Sequence, residues 1–316
     1  MGKTMKLFLV LALLVSLVGF AMSVISAQQA GLSVADLARM VEMNLKKLNI
    51  DIVVPEYSSV EQTMTVTPKG EVHNIVLKSS FADIAVESGE EFQVRLQGNV
   101  TNELDDLLSW RQSDDTLYLD VAAVIKENPT ATGLYALVTL PAEQFREFEL
   151  ATVSGSVQIT GIEADRIQME SKSGNLNIYD STLTEAVIKT TSGDILILND
   201  DPMEFQCRTD SGSIDIMGED LSGSLKTKSG SISLNFGDLT NDLVLTTDSG
   251  HMEIYYRGSD LAYRFTSESG DVRVHQDDAE LEASGTAGEG QHSIRGSSQS
   301  GSVTFEFIEE DLMIRE

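Results

Sequence analysis

The sequence predicts an all-β fold, a parallel β-solenoid of about eight coils of 19–20 residues, with an N-terminal helix and an irregular β cap. Three observations carry this. The dipeptide Ser-Gly recurs at Ser154, Ser173, Ser192, Ser211, Ser229, Ser249 and Ser269 in steps of 19, 19, 19, 18, 20 and 20, with a last copy at Ser300 after a step of 31. Counted from each serine, positions +3 and +5 are apolar in every copy, from Val157 and Ile159 to Val303 and Phe305. Position −2 carries a hydroxyl in every copy: Thr152, Ser171, Thr190, Thr209, Thr227, Thr247, Ser267 and Ser298.

Apolar residues two apart, interleaved with polar ones, mark strands rather than helices. A second apolar pair at −6 and −4 precedes each Ser-Gly, interrupted by Ala186, Gly223 and Gly296, so each repeat holds two short strands. A unit this short cannot bury its own apolar face, and successive copies must stack, each strand pairing with its equivalent in the next coil. Glycine at the corner is expected to supply a positive φ. The −2 hydroxyls fall on the inward parity, where they can satisfy backbone groups left open by the turn. The outward columns −3 and −5, with Glu170, Lys189, Arg208, Lys226, Gln168 and Arg264, are too mixed for an ice-binding lattice.

Along the chain, residues 1–27 read as a signal peptide or signal anchor. Lys3 and Lys6 precede an apolar run from Leu7 to Ile25, which predicts an exported protein, anchored only if residues 7–25 stay uncleaved. Residues 28–71 hold an amphipathic helix over 33–49, with Ser33 as cap, and a linker. Residues 72–145 are either degenerate coils or a small capping sheet, with exposed loops at Asn102–Leu107 and Lys126–Thr130. Trp110, the only tryptophan, is expected in the core rather than stacked on a ligand. The repeats fill 146–308, where 277–290 either loops out or makes an imperfect coil, and 309–316 is an acidic tail.

The chain carries 22 Lys and Arg against 50 Asp and Glu, a formal net charge of −28. Such a surface repels nucleic acid and anionic lipid. The single cysteine, Cys207, excludes an intrachain disulfide framework and a cysteine zinc cluster, and the four histidines are scattered. At the turn opposite the Ser-Gly corner, Asp180, Asp200, Asp201, Glu219, Asp220, Asp238, Asp260, Asp277 and Asp278 form a stacked acidic column. Carboxylates at strand spacing repel unless screened, which points to weak divalent-cation binding, Ca²⁺ by its oxygen preference, or simply to solvated turn formers. No other cofactor is expected.

The stretches Ala136-Leu137-Val138-Thr139-Leu140-Pro141 and Phe148-Glu149-Leu150-Ala151-Thr152-Val153-Ser154-Gly155-Ser156-Val157-Gln158-Ile159 resemble the putative-adhesin domain family of bacterial envelope proteins, a domain of unknown function. That family repeats T-x-S-G-x-hydrophobic-x-hydrophobic units, and the resemblance covers roughly residues 75–308. It implies an envelope scaffold or adhesin touching glycan, wall polymer or protein, and brings no catalytic motif. Two alternatives stand beside it. One is a membrane-tethered accessory or sensory protein of the envelope stress response. The other is a carbohydrate-active enzyme using the outward Asp194, Asp215, Glu253 and Arg273.

Overall fold

Alternation of inward apolar and outward polar residues makes each Ser-Gly repeat two strands, one on either side of the corner. The computed structural model describes residues 58–100, 107–121, 131–201, 203–276 and 279–308. The signal segment, the expected helix over 33–49, most of the loop 102–107, the loop 126–130, Asp277, Asp278 and the acidic tail lie outside the described residues.

In chain order the first strands are β1 (Ser58–Thr65), β2 (Asn74–Ser79), β3 (Asp83–Gly89), β4 (Gln93–Val100), β5 (Leu108–Ser113), β6 (Thr116–Val121) and β7 (Ala131–Pro141). The repeats then give β8 (Phe145–Ala151), β9 (Val157–Thr160), β10 (Glu163–Glu170), β11 (Leu176–Tyr179), β12 (Thr182–Lys189), β13 (Ile195–Asn199) and β14 (Met203–Arg208). They continue with β15 (Ile214–Gly218), β16 (Leu221–Thr227), β17 (Ile232–Phe236), β18 (Leu239–Thr247), β19 (Met252–Tyr256), β20 (Leu261–Ser267) and β21 (Val272–Gln276). Last come β22 (Ala279–Leu281), β23 (Ser284–Ala287), β24 (Ser293–Ser298) and β25 (Val303–Phe307).

The strands form two sheets. One has 13 strands in the order β1-β4-β7-β3-β9-β11-β13-β15-β17-β19-β25-β21-β22, the other 12 in the order β23-β20-β24-β18-β16-β14-β12-β10-β8-β2-β6-β5. The repeat strands pair in parallel and in register, Ile178 against Ile197 and Ile197 against Ile216, so the fold is the expected β-solenoid. The +3 and +5 columns of one sheet and the −6 and −4 columns of the other meet as the core. Ile178, Ile197, Ile167 and Phe205 are 0% exposed, and each such burial contributes about 1.5–3 kcal/mol.

The interruptions of the −6 and −4 columns have a packing reason. A Cβ on Gly223 would stand 1.9 Å from the carbonyl oxygen of Phe205, its register partner, and one on Gly296 2.6 Å from the ring of its partner Phe265. Glycine there yields space to the neighbouring coil.

Residues 72–145 are both coils and cap. β2 with β3 forms a coil directly against β8 and β9, and β6 with β7 forms a further coil outside it. Antiparallel β4 and β1 then extend one sheet and β5 the other. Trp110 corrects the expectation of a core residue. It pairs with Leu119, but β5 is an edge strand and the residue is 36% exposed. Beside it Arg111 lies 3.6 Å from the Tyr118 ring centroid, a cation–π contact that covers the outer side of the cap.

The C-terminal end departs from simple succession. β24 and β25 insert between β18–β19 and β20–β21, so the last coil in sequence is the penultimate one in space. The 31-residue step arises because the chain first makes β22 and β23, which pair antiparallel on β21 and β20 and cover the edge of each sheet. Covered edges protect a solenoid from pairing with other chains. All described residues belong to one compact unit, Tyr57–Glu316.

Candidate functional site

The Ser-Gly corner is a structural ladder. In the coil of Ser211, the Gly212 N–H donates to Thr209 Oγ1 at 3.1 Å, and that hydroxyl donates onward to the Gly193 carbonyl at 3.1 Å. The pattern repeats with Thr227 between Gly230 and Gly212 and with Thr247 between Gly250 and Gly230. From Ser171 onward the −2 hydroxyls therefore do what their inward parity implied, while that of Thr152 is buried with no partner. The reason for glycine is different from the one expected. None of the corner glycines has a positive φ, whereas a Cβ on any of them would lie 1.7–2.4 Å from a backbone oxygen of the neighbouring coil.

A second ladder escaped the sequence reading. At position +2, Asp83 Oδ1 accepts from Ser156 N at 2.8 Å, Asn175 Oδ1 from Asp194 N at 3.0 Å and Asp194 Oδ1 from Ser213 N at 2.8 Å. His251 Nδ1 accepts from Ser302 N at 3.2 Å in the same column. The signal was present, since every +2 residue from Ser156 to Ser302 is polar.

The acidic column is largely occupied with turn chemistry. Asp180 and Asp220 adopt left-handed backbone conformations, φ 44° and 32°, which Asp tolerates better than most residues. Asp201 Oδ2 accepts from the Thr182 hydroxyl at 2.7 Å, and Glu219 pairs with Arg257 at 2.7 Å. Asp238 Oδ1 accepts from Tyr256 Oη at 3.0 Å, Tyr256 Oη accepts from Asp260 N at 2.9 Å, and Asp260 Oδ1 accepts from Gly290 N. Burial, and then the hydrogen bond and charge of Asp238, raise the Tyr256 phenol above its ordinary range, against the Asp260 N–H, which pulls it down. Asp200 is exposed in solvent, and Asp277 and Asp278 lie outside the described residues. Among the described residues no three Asp, Glu, His or Cys side chains converge as a metal would need.

Of the outward residues considered for catalysis, Asp194 lies close enough to Asp215 for their charges to interact, while the register separates Asp215, Glu253 and Arg273. Asp215, Ser233, Glu253, Thr304 and Arg273 follow one another across the outer face of the 13-stranded sheet. Asp215 and Glu253 are thus two strands apart, about 10 Å. Insertion of β25 moves Arg273 one strand further from Glu253 than simple succession would. Burial, and then the charge of Asp194, raises the Asp215 carboxyl above its ordinary value. Cys207 is 2% exposed and points inward, its thiol pushed far up by burial.

On the outer face of the 12-stranded sheet, Lys189, Arg208 and Lys226 stand in direct register on consecutive coils, bordered by Glu170 and Thr246. The −3 column thus holds a local cationic run within a strongly acidic chain.

With solenoid, corner ladder and turn chemistry in place, the comparison with known families is decisive. Residues 41–306 match the profile of Toastrack DUF4097. The chain belongs to that family. The Toastrack match extends from before the described strands to the last coil. No curated protein matches the chain. Among solved structures, a putative adhesin from Bacteroides fragilis is 16% identical, with 80% of this chain and 99% of that one covered and a TM-score of 0.48. A putative adhesin from Parabacteroides distasonis is 12% identical, with 80% and 97% covered and a TM-score of 0.44. A putative lipid binding protein from the same organism is 14% identical, with 79% and 96% covered and a TM-score of 0.47.

Proposed function

We propose that the chain is an exported, non-catalytic surface scaffold or adhesin of the bacterial cell envelope, presenting its solenoid to glycan, wall polymer or protein. The observation that supports this most is the regularity of the outer faces. Parallel in-register pairing sets outward side chains in columns that repeat every strand, at about 4.8 Å, over long sheets. Such columns suit a partner that is itself extended and repetitive. The hydrogen bonding at both turns serves the stack, and leaves the open faces for contact. The apolar run Leu7–Ile25 behind Lys3 and Lys6 supports export.

The test is co-sedimentation of residues 28–316 with envelope fragments, with and without EDTA. Retention supports the scaffold, and its loss in EDTA would make the acidic column the place to mutate. No retention in either buffer overturns the proposal and favours a tethered accessory protein, for which an intact N-terminus on the envelope-derived chain is the signature. Turnover of a polysaccharide that disappears in Asp215→Asn would overturn the non-catalytic part.

A further inference from the structure

The outer face of the 12-stranded sheet ends in a cleft that the corner and turn chemistry do not explain. Arg264 of β20 is the register partner of Arg295 of β24, so two guanidinium groups stand side by side, both exposed. On the other flank of β20, antiparallel β23 sets Ser284 opposite Arg264 and Thr286 opposite Ala262. Ala262 is in turn the register partner of Ser293. One row across the sheet is therefore hydroxyl, methyl, hydroxyl, while the row beside it carries two arginines. The small Ala262 between longer neighbours leaves a depression of about 600 Å³, within the size range of small-molecule sites.

The charge is unbalanced. Like charges directly opposite one another on adjacent strands disfavour the pairing. Among the described residues no carboxylate comes within 4 Å of Arg264, and Arg295 meets only Asp242, at 3.9 Å. Asp242 is itself engaged, since its Oδ1 accepts from Ser293 N at 2.9 Å and from the Ser293 hydroxyl at 3.0 Å. Two forked cations beside hydroxyls form the chemistry that recognises a carboxylate or phosphate together with sugar hydroxyls. The overall charge of −28 does not forbid it, because exposed charges beyond about 8–10 Å are screened at physiological salt.

We propose that this cleft binds an acidic saccharide, its oxyanion held by Arg264 and Arg295 and its hydroxyls by the Ser284, Thr286 and Ser293 rim. The proposal names the ligand class of the surface scaffold and rests on that reading. The probes are trigalacturonate, neutral maltotriose and inorganic phosphate, titrated into the full mature chain by calorimetry at low and physiological salt. Trigalacturonate is expected to bind more tightly than either other probe, and R264Q/R295Q to weaken it at least tenfold with no fall in the thermal midpoint. The control K189Q/R208Q/K226Q, which removes cations from the same sheet outside the cleft, is expected to leave it within twofold.

Equal loss in both variants would mean diffuse attraction and overturn the cleft. Phosphate binding as tight as trigalacturonate would overturn the saccharide assignment in favour of a bare oxyanion site. No binding by any probe would overturn the proposal outright. Envelope retention that persists in R264Q/R295Q, with trigalacturonate unbound by the wild-type chain, would sink the cleft while the scaffold reading stands.

Discussion

Gly212 stacks on Gly193 so closely that a Cβ added to Gly212 would stand 1.8 Å from the Gly193 carbonyl oxygen. The obstacle is backbone held in two sheets, so it has nowhere to move. Gly212→Ala is expected to cost about 3 kcal/mol or more, at the top of the overpacking range. Gly133, at φ 61° with nothing within 4 Å of an added Cβ, provides the contrast. Gly133→Ala is expected to cost only the left-handed backbone penalty of about 1–2 kcal/mol. Urea unfolding of both variants checks this, and equal costs would mean that the neighbouring coil shifts to admit the added Cβ.

The hydroxyl ladder makes a prediction of opposite sign at two equivalent positions. Thr209→Val removes an acceptor for Gly212 N and a donor for Gly193 O, both buried, and is expected to cost about 2–4 kcal/mol. At Thr152 the neighbouring corner holds Ala82 where the others hold glycine, and the Thr152 hydroxyl is buried with no partner. Thr152→Val is expected to be neutral or stabilising by up to about 1 kcal/mol, because an unpaired buried hydroxyl is exchanged for a methyl. Thermal unfolding of the two variants side by side decides it.

These two residues show which level of the architecture was legible in the sequence. The columns at −6, −4, −2, +3 and +5 are local periodicities, and each maps onto a burial pattern because strand geometry has a period of two. The inserted coil was not legible. Ile294 and Tyr263 are equally good partners for Leu243 by type, and only the closure of the chain through β22 and β23 decides that Ile294 takes the place. Trp110 failed for the same reason, since its apolar type is local and its place on an edge strand is topological. Among the site residues, the acidic column was visible as composition, but its engagement with Thr182, Arg257 and Tyr256 depends on neighbouring coils 18 or more residues away. The pairing of Arg264 with Arg295 depends on the same insertion.

The inserted coil is expected to control the stability of the C-terminal end. Phe305 of β25 is fully buried, with ring centroids 4.8 Å from Phe307, 5.0 Å from Phe265 and 5.3 Å from Tyr263. Phe305→Ala is expected to cost about 3–5 kcal/mol. Since β20 and β21 reach the rest of the stack through β24 and β25, their amides should lose hydrogen-exchange protection before those of β11 to β15. Uniform loss across all coils would show instead that the solenoid opens as one unit.

Asp215 supplies a pH dependence whose sign follows from its surroundings. Partial burial, reinforced by the Asp194 charge, raises its carboxyl above the unfolded value. The folded state then holds the proton over a range where the unfolded chain has released it, so stability falls as pH rises through that window. The penalty is complete above the folded value and absent below the unfolded one, near 3.9. Asp215→Asn is therefore expected to raise the melting temperature at pH 7 and to lose that advantage by about pH 3, with the wild-type and variant curves converging. Melting temperatures recorded across that range test it, and a variant less stable than wild type at pH 7 would mean that the ionised carboxylate makes a favourable contact on the open face.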